Sequence, residues 1–150
     1  MQSDDYFVRA YGKNQMYTGK HIATKLWVGD YTNGSSFEEL ANSADGIKRI
    51  AVLRADVDNL GHAIVAGFDD AENDNRYVTL SRTATLSRQL SLFFKLYINK
   101  ILETPKYTMD EIPKDRRKAT IVYSGGDDLF IVGAWNDVIE LAIDIRHSLQ

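Results

Sequence analysis

The sequence predicts an α+β domain built around a small β-sheet. Two observations favour this class: short apolar strand candidates alternate with longer helical stretches, and a glycine-rich turn separates two β-rich segments. From residue 50 onward the predicted order is strand, helix, helix, strand, strand, helix. This order matches a ferredoxin-like βαββαβ fold without its last strand.

The strand candidates are short and mostly apolar. Residues 50–53 form an apolar run that predicts a strand in the middle of the sheet, covered on both faces. Residues 119–123 and 129–132 are rich in β-formers, and only residues 124–128 separate them. We therefore expect a tight hairpin.

Three helices are predicted after residue 50. The first covers residues 60–68 and stops near Gly67, and a polar loop follows at 69–76. The second covers 77–102, with apolar residues at helical spacing: Leu86, Leu90, Phe93, Tyr97 and Ile101. The third is capped by Asn136 or Asp137, and its buried side consists of Val138, Leu141, Ala142, Ile145 and Leu149.

Two domains are expected, 1–45 as a small β-rich extension with a linker and 46–150 as the main domain. Residues 6–32 alternate apolar and polar side chains, which predicts two or three short strands. Ser36 caps a short helix, with Glu39 at the capping-box position. Because no returning strand follows the last helix, we expect a fragment that ends before the final strand of its fold.

Composition narrows the class of protein. No apolar run approaches the ~20 residues of a membrane span, so no membrane partner is expected. No secretion signal is visible and cysteine is absent, which favours a cytoplasmic protein without disulfides. Net charge is −3, although basic residues cluster between 82 and 106 and again at Lys114, Arg116, Arg117 and Lys118. Each cluster is either a solvated surface or a surface that faces phosphate or RNA.

Three aspartates indicate a metal site. Asp56 follows the strand at 50–53, while Asp127 and Asp128 lie in the hairpin. Two-metal phosphoryl transfer needs carboxylates from separate rigid elements that hold two divalent cations about 3.5–4 Å apart. Taken alone, an Asp-x-Asp after a strand also fits a turn, and Gly-Gly-Asp-Asp also fits a permissive hairpin tip. Their joint occurrence at the ends of apolar strands favours the metal site.

At these residues the sequence resembles a known family. The segments at 46–49, 52–61, 86–94 and 123–130 closely resemble the large signature subunit of type III-A CRISPR effector (Csm) complexes. The segment at 26–31 is similar to the one that precedes the second palm domain in that family. The resemblance covers nearly the whole chain.

The resemblance implies a palm of the GGDEF nucleotide-cyclase type. With a first palm, such a domain converts ATP into cyclic oligoadenylates when the complex binds target RNA. The implied partners are ATP, the other subunits of the complex, guide RNA and target RNA. Other parts of the family's protein, including an HD nuclease domain, have no counterpart here, and the sequence contains no His-Asp dipeptide.

The resemblance also implies site residues and cofactors. Two Mg²⁺ or Mn²⁺ ions would be held by Asp56, Asp127 and Asp128, with Asp58 as a further candidate ligand. The candidate nucleotide contacts are Ser124, Gly125, Gly126 and Asn59.

Two alternatives remain open at this point. The first is a diguanylate-cyclase-like GGDEF domain, but Asp128 replaces its usual Glu and Leu129 precedes Phe130. In many such cyclases an Arg-x-x-Asp motif binds product; here Arg116 fits, while Ala119 replaces the Asp. The second is a catalytically silent scaffold that only binds nucleotide. Retention of all three carboxylates argues against it.

Overall fold

The computed structural model describes residues 11–14, 24–34, 36–69 and 77–149. Most of the predicted loop at 69–76, and parts of the predicted strands within 6–32, lie outside these residues. The elements, in chain order, are β1 (Tyr11–Lys13), β2 (Thr24–Leu26), α1 (Phe37–Asn42), β3 (Ile50–Ala55), α2 (Leu60–Ala66), α3 (Leu80–Leu92), a π-helical segment (Phe93–Tyr97), α4 (Ile98–Glu103), β4 (Ala119–Gly125), β5 (Asp128–Ala134) and α5 (Trp135–Leu149). The predicted mixture and order of helices and strands after residue 50 are confirmed.

The main sheet is antiparallel and three-stranded, in the order β3-β5-β4. The predicted hairpin is confirmed as β4 and β5, which pair down to Gly125 and Asp128. The prediction that residues 50–53 form a central strand is wrong for the described sheet, because β5 is central and β3 lies at an edge. Nor is β3 covered on both faces: Val52 is 55% exposed, whereas Leu53 packs against the core.

The main core lies on one face of the sheet, between the strands and the helices. The buried core combines residues of the π-helical segment, α4 and α5 with the inward-facing residues of β4 and β5: Phe94, Ile98, Leu102, Ala119, Ile121, Leu129, Ile131, Leu141 and Ile145. Tyr31, from the region before α1, belongs to the same core, and its hydroxyl donates to the Arg117 carbonyl at 2.6 Å. Burial raises the pKa of Tyr31, although a hydrogen bond with Asn33 opposes the shift.

Three helix boundaries or faces differ from the predictions. The second helix begins at Leu80 rather than Tyr77, because Thr79 caps it by accepting from the Arg82 amide. Neither Asn136 nor Asp137 caps α5, because the helix already begins at Trp135. At the end of α5, Leu149 is 49% exposed, because the helix runs past the last residue of the core.

Two smaller predictions are confirmed. Ser36 caps α1 by accepting from the Glu39 amide at 3.1 Å, and α2 ends at the cap residue Gly67. β1 and β2 form a separate, parallel pair. None of the described helices combines the length and apolar character that crossing a membrane requires.

Candidate metal and nucleotide site

The hairpin tip is a two-residue turn. Gly125 pairs with Asp128, so Gly126 and Asp127 alone make the connection. Gly126 has φ of +66°, a left-handed conformation that glycine adopts without strain. No atom lies within 4 Å of a Cβ added at Gly126. The backbone conformation therefore requires glycine, and the space beside the tip is open.

Strand pairing brings Asp56 toward Asp128. The last paired position of β3 and β5 joins Ala55 to Leu129, so one further step of the antiparallel register sets Asp56 opposite Asp128. Directly opposite residues have Cβ atoms about 4.5–5.5 Å apart and project from the same face of the sheet. Because Leu129 faces the core, this shared face is the one opposite the main core. It also carries Val52 and Tyr123, each 55% exposed.

The carboxylates at this edge have no partner among the described residues. The side chains of Asp56, Asp127 and Asp128 make no hydrogen bond or ion pair there. Neighbouring carboxylates repel each other, and a bound cation compensates this repulsion. Their oxygens are thus available to a ligand from solution.

The described part of the chain contains no group of three or more His, Cys, Asp or Glu residues arranged to hold a metal ion. Extending the register by one step would set Asp56 opposite Asp128, but Asp127 is not gathered with them into one cluster. Mg²⁺ in phosphate-binding enzymes is usually held by one or two carboxylates, and water and phosphate oxygens complete its octahedron. Two adjacent, unpartnered carboxylates fit that mode.

Asp58 and Asn59 lie in the turn between β3 and α2, and both are exposed. Asn59 is the N-cap of α2 with φ of +56°, and its side chain makes no capping hydrogen bond. Its amide is therefore not used by the helix.

Ser124 faces away from the carboxylates. It pairs with Leu129 on the core side of the sheet, and its hydroxyl donates to the Phe94 carbonyl in the π-helical segment. The side chain of Ser124 is thus engaged behind the hairpin, on the face opposite to Asp128.

The second basic cluster has a structural use that the sequence interpretations missed. Arg117 is fully buried and binds Glu140 and Asp144, the latter at 2.7 Å. Lys114 binds Asp137 and Glu140, each at 3.0 Å. Burial alone would lower the pKa of Lys114, but its bonds to these two carboxylates outweigh burial and raise it. Lys114 and Arg117 therefore belong neither to a solvated surface nor to a surface that faces phosphate or RNA.

A signal for this network was present in the sequence. Asp137, Glu140 and Asp144 recur at helical spacing on one side of an otherwise apolar helix. A row of acids facing the core side requires cations from elsewhere in the chain.

Comparison with known proteins identifies the family. The family model described as "Cas10/Cmr2, second palm domain" matches residues 49–150. A Mycobacterium tuberculosis protein described as "CRISPR system single-strand-specific deoxyribonuclease Cas10/Csm1 (subtype III-A)" is 50% identical over 145 residues, which are 95% of this chain and 18% of the relative. A similar Enterococcus italicus protein of the same description is 41% identical, over 93% of this chain and 17% of its own length.

Solved structures show the same relation. A Csm1-Csm4 cassette in complex with one ATP superposes with a TM-score of 0.74 at 30% identity, over 93% of this chain and 20% of that one. Another Csm1-Csm4 cassette, in complex with cA4, superposes with a TM-score of 0.73 at 30% identity, over 93% of this chain and 21% of that one. The chain thus spans about a fifth of the length of these proteins. The resemblance to the type III-A large subunit is confirmed, and the chain belongs to the Cas10/Cmr2 second palm domain family.

Proposed function

We propose that this chain is a nucleotidyltransferase palm of the GGDEF type which, with a partner palm, joins ATP molecules into cyclic oligoadenylates. The observation that supports this most is the register of β3 and β5, which ends at Ala55 and Leu129. One further step would set Asp56 opposite Asp128, and the carboxylates of both have no partner among the described residues. Solved relatives bound to ATP and to cA4 support nucleotides as the ligand class.

We assign the metal site to Asp56, Asp127 and Asp128, with Asp58 as an outer contributor. Two Mg²⁺ or Mn²⁺ ions bound there would activate the attacking hydroxyl and neutralise the triphosphate. The task of the chain is then to hold its carboxylates at a fixed spacing on adjacent strands. Gly126 has no side chain and has open space beside it, so a bulky triphosphate can approach its backbone.

Asn59 and the hairpin glycines are the proposed nucleotide contacts. The unused amide of Asn59 has both a donor and an acceptor, and it lies in the turn that directly follows Asp56. For Ser124, whose hydroxyl is already bound to Phe94, we propose a contact through the backbone only.

The wider assignment concerns the protein complex. We propose that the palm acts within an RNA-guided type III-A complex in the cytoplasm, where guide RNA and target RNA control synthesis. One palm offers a single metal-triphosphate site, whereas bond formation between two ATP molecules requires both to be held in line. We therefore expect little or no synthesis by this chain alone.

Asp56→Ala in the intact complex tests the proposed site. If Asp56 shares a metal with the hairpin, this variant loses Mg²⁺-dependent ATP binding to the same degree as Asp128→Ala. The double variant should be scarcely worse than either single variant, because residues that act as a unit are not additive. Isothermal titration calorimetry with ATP, in the presence of Mg²⁺ or of EDTA, measures this.

Asp58→Ala is the matched control, since it removes the same charge two residues further on. A smaller loss is expected, because Asp58 lies beyond the strand register that brings Asp56 toward Asp128. Equal and additive losses at Asp56 and Asp58 would indicate a diffuse acidic surface and would contradict the site. ATP binding that does not depend on the metal would indicate the silent scaffold instead.

A further inference from the structure

The backbone at residues Val28–Tyr31, here called the upstream segment, packs directly behind the hairpin. A Cβ added to Gly29 would lie 2.7 Å from the Ser124 Cβ and 3.1 Å from the Ile98 Cγ2, closer than ordinary van der Waals contact. Gly29 does not have a left-handed φ, so limited space, not backbone conformation, requires glycine here. The upstream segment thus touches the residue next to Gly125.

Asn99 holds the upstream segment in place. Its Oδ1 accepts from the amides of Asp30 and Tyr31 at 2.9 and 3.0 Å, and its Nδ2 donates to the Val28 carbonyl at 2.8 Å. On the other side, Asn14 donates to the same carbonyl and accepts from the Val28 amide. Because one side chain binds three backbone groups, the position of the segment follows the position of Asn99.

The helix that carries Asn99 also binds the hairpin. Asn99 directly follows Ile98, whose amide bonds to the Phe93 carbonyl in the wider π geometry. Within the π-helical segment the Phe94 carbonyl accepts from the Ser124 hydroxyl. Ser124 is therefore fixed from two sides, by Phe94 through a hydrogen bond and by Gly29 through close packing.

The hairpin needs such support because of its glycines. Gly125 and Gly126 are adjacent, and glycine has more backbone freedom than any other residue. The backbone of Asp128 pairs with Gly125, but the carboxylates of Asp127 and Asp128 have no hydrogen bond or ion pair to another described residue. The fixed residue nearest to the glycines on β4 is Ser124.

We propose that Asn99 is a positioning residue for the metal-binding hairpin, acting through Gly29 and Ser124. The proposal rests on the proposed function, in which Asp127 and Asp128 are metal ligands. It gives the upstream segment a defined role: the chain before the palm sets the geometry of the carboxylates from behind, without touching substrate.

Asn99→Ala in the intact complex is the test, with two measurements. Amide hydrogen exchange, without metal or nucleotide, should become faster across residues 125–129 while the far end of β5 is unchanged. The Mg²⁺ concentration that gives half the maximal rate of product formation should rise about 10-fold, the usual scale for losing support behind a metal ligand. That midpoint does not depend on how much protein is folded. Asn99→Asp, which keeps the two acceptor bonds, should have a smaller effect.

Asn136→Ala is the matched control. Like Asn99, Asn136 holds a preceding segment by its side chain, with two hydrogen bonds to Asp45. It is buried, but it lies beyond the opposite end of β5. This variant should lower the melting temperature and leave both the hairpin exchange and the Mg²⁺ midpoint unchanged.

Equal effects of Asn99→Ala and Asn136→Ala on both measurements would overturn the proposal, as would faster exchange with an unmoved Mg²⁺ midpoint. If Asn99→Ala does not assemble, Ser124→Ala replaces it, because this variant removes only the hydrogen bond to Phe94. It should shift both measurements in the same direction as Asn99→Ala. The absence of a shift in Ser124→Ala would overturn the proposal. A separate result would show that the proposed function is wrong. In that case Asp56→Ala would retain metal-dependent ATP binding.

Discussion

Two acidic regions of this domain differ in whether their charges are paired. On α5, Asp137, Glu140 and Asp144 are each at most 3% exposed, and each binds a cation as well as a backbone amide. At the hairpin edge, Asp127 and Asp128 are half-buried, and their carboxylates bind no described group. The residue types are the same, and only their surroundings differ.

The difference separates structural from functional carboxylates. A fully buried carboxylate must be paired inside the protein, since an uncompensated buried charge costs several kcal/mol. The acids of α5 therefore bind the loop between α4 and β4 and act in folding. A carboxylate that water still reaches can remain unpaired, and its oxygens stay available to a cation.

The largest expected effect is at the hairpin. Asp127→Asn with Asp128→Asn should lower product formation by the intact complex by about 1,000-fold or more, as loss of several kcal/mol of charge stabilisation implies. The free energy of unfolding should be unchanged or slightly higher, because a like-charge pair is removed. Product can be measured by mass spectrometry and stability by urea unfolding.

Asp115→Asn is the control for that variant. Like the hairpin aspartates, Asp115 has no ion pair among the described residues, but it is exposed and precedes β4 at the end away from the hairpin. If the hairpin double variant forms product near the wild-type rate, the metal site is wrong. The unpaired carboxylates of the hairpin would then have no function that distinguishes them from the paired carboxylates of α5.

The second prediction concerns the α5 network. Arg117→Met should lower the free energy of unfolding by about 3–5 kcal/mol, because it leaves Glu140 and Asp144 buried with too few cations. Arg116→Met, at the exposed neighbour, should change it by less than about 0.5 kcal/mol. Chemical unfolding of both variants measures the difference. Equal losses would mean that the buried pairs contribute no more than a surface charge.

The smallest expected effect is the pH dependence at Lys114. The pKa of Lys114 is raised in the folded state. The stabilisation that its ion pairs provide is therefore complete below the unfolded pKa of 10.5 and is lost as pH rises further. The free energy of unfolding of the wild type should exceed that of Lys114→Met by about 1 kcal/mol. This figure is modest because the amine is partly exposed. This difference should be constant from neutral pH to about 10 and shrink above that.

Unfolding at several pH values tests this prediction. Tyr31 also titrates at high pH, but it does so in both proteins and cancels in the difference. A difference that grows above pH 10.5 would contradict the assigned pairing of Lys114 with Asp137 and Glu140.

Local features were predictable where local chemistry decides them. The tight turn between Gly125 and Asp128 followed from short-range conformational preference, as did the capping of α1 by Ser36. The order of elements followed from hydrophobic periodicity. By contrast, the capping of α5 by Asn136 or Asp137 was mispredicted, because both side chains are used by distant segments, at Asp45 and Lys118.

The sequence by itself determined the family, the helix and strand order, and the candidate aspartates, because motifs and periodicity are properties of neighbouring residues. Only the tertiary structure decided which acids are paired, that β3 lies at an edge of the described sheet, and that Ser124 faces the helices. These outcomes depend on strand register and on contacts between residues far apart in the chain. A single step of register exchanges the two faces of a strand, so the register that pairs Ala55 with Leu129 is visible only in the folded molecule.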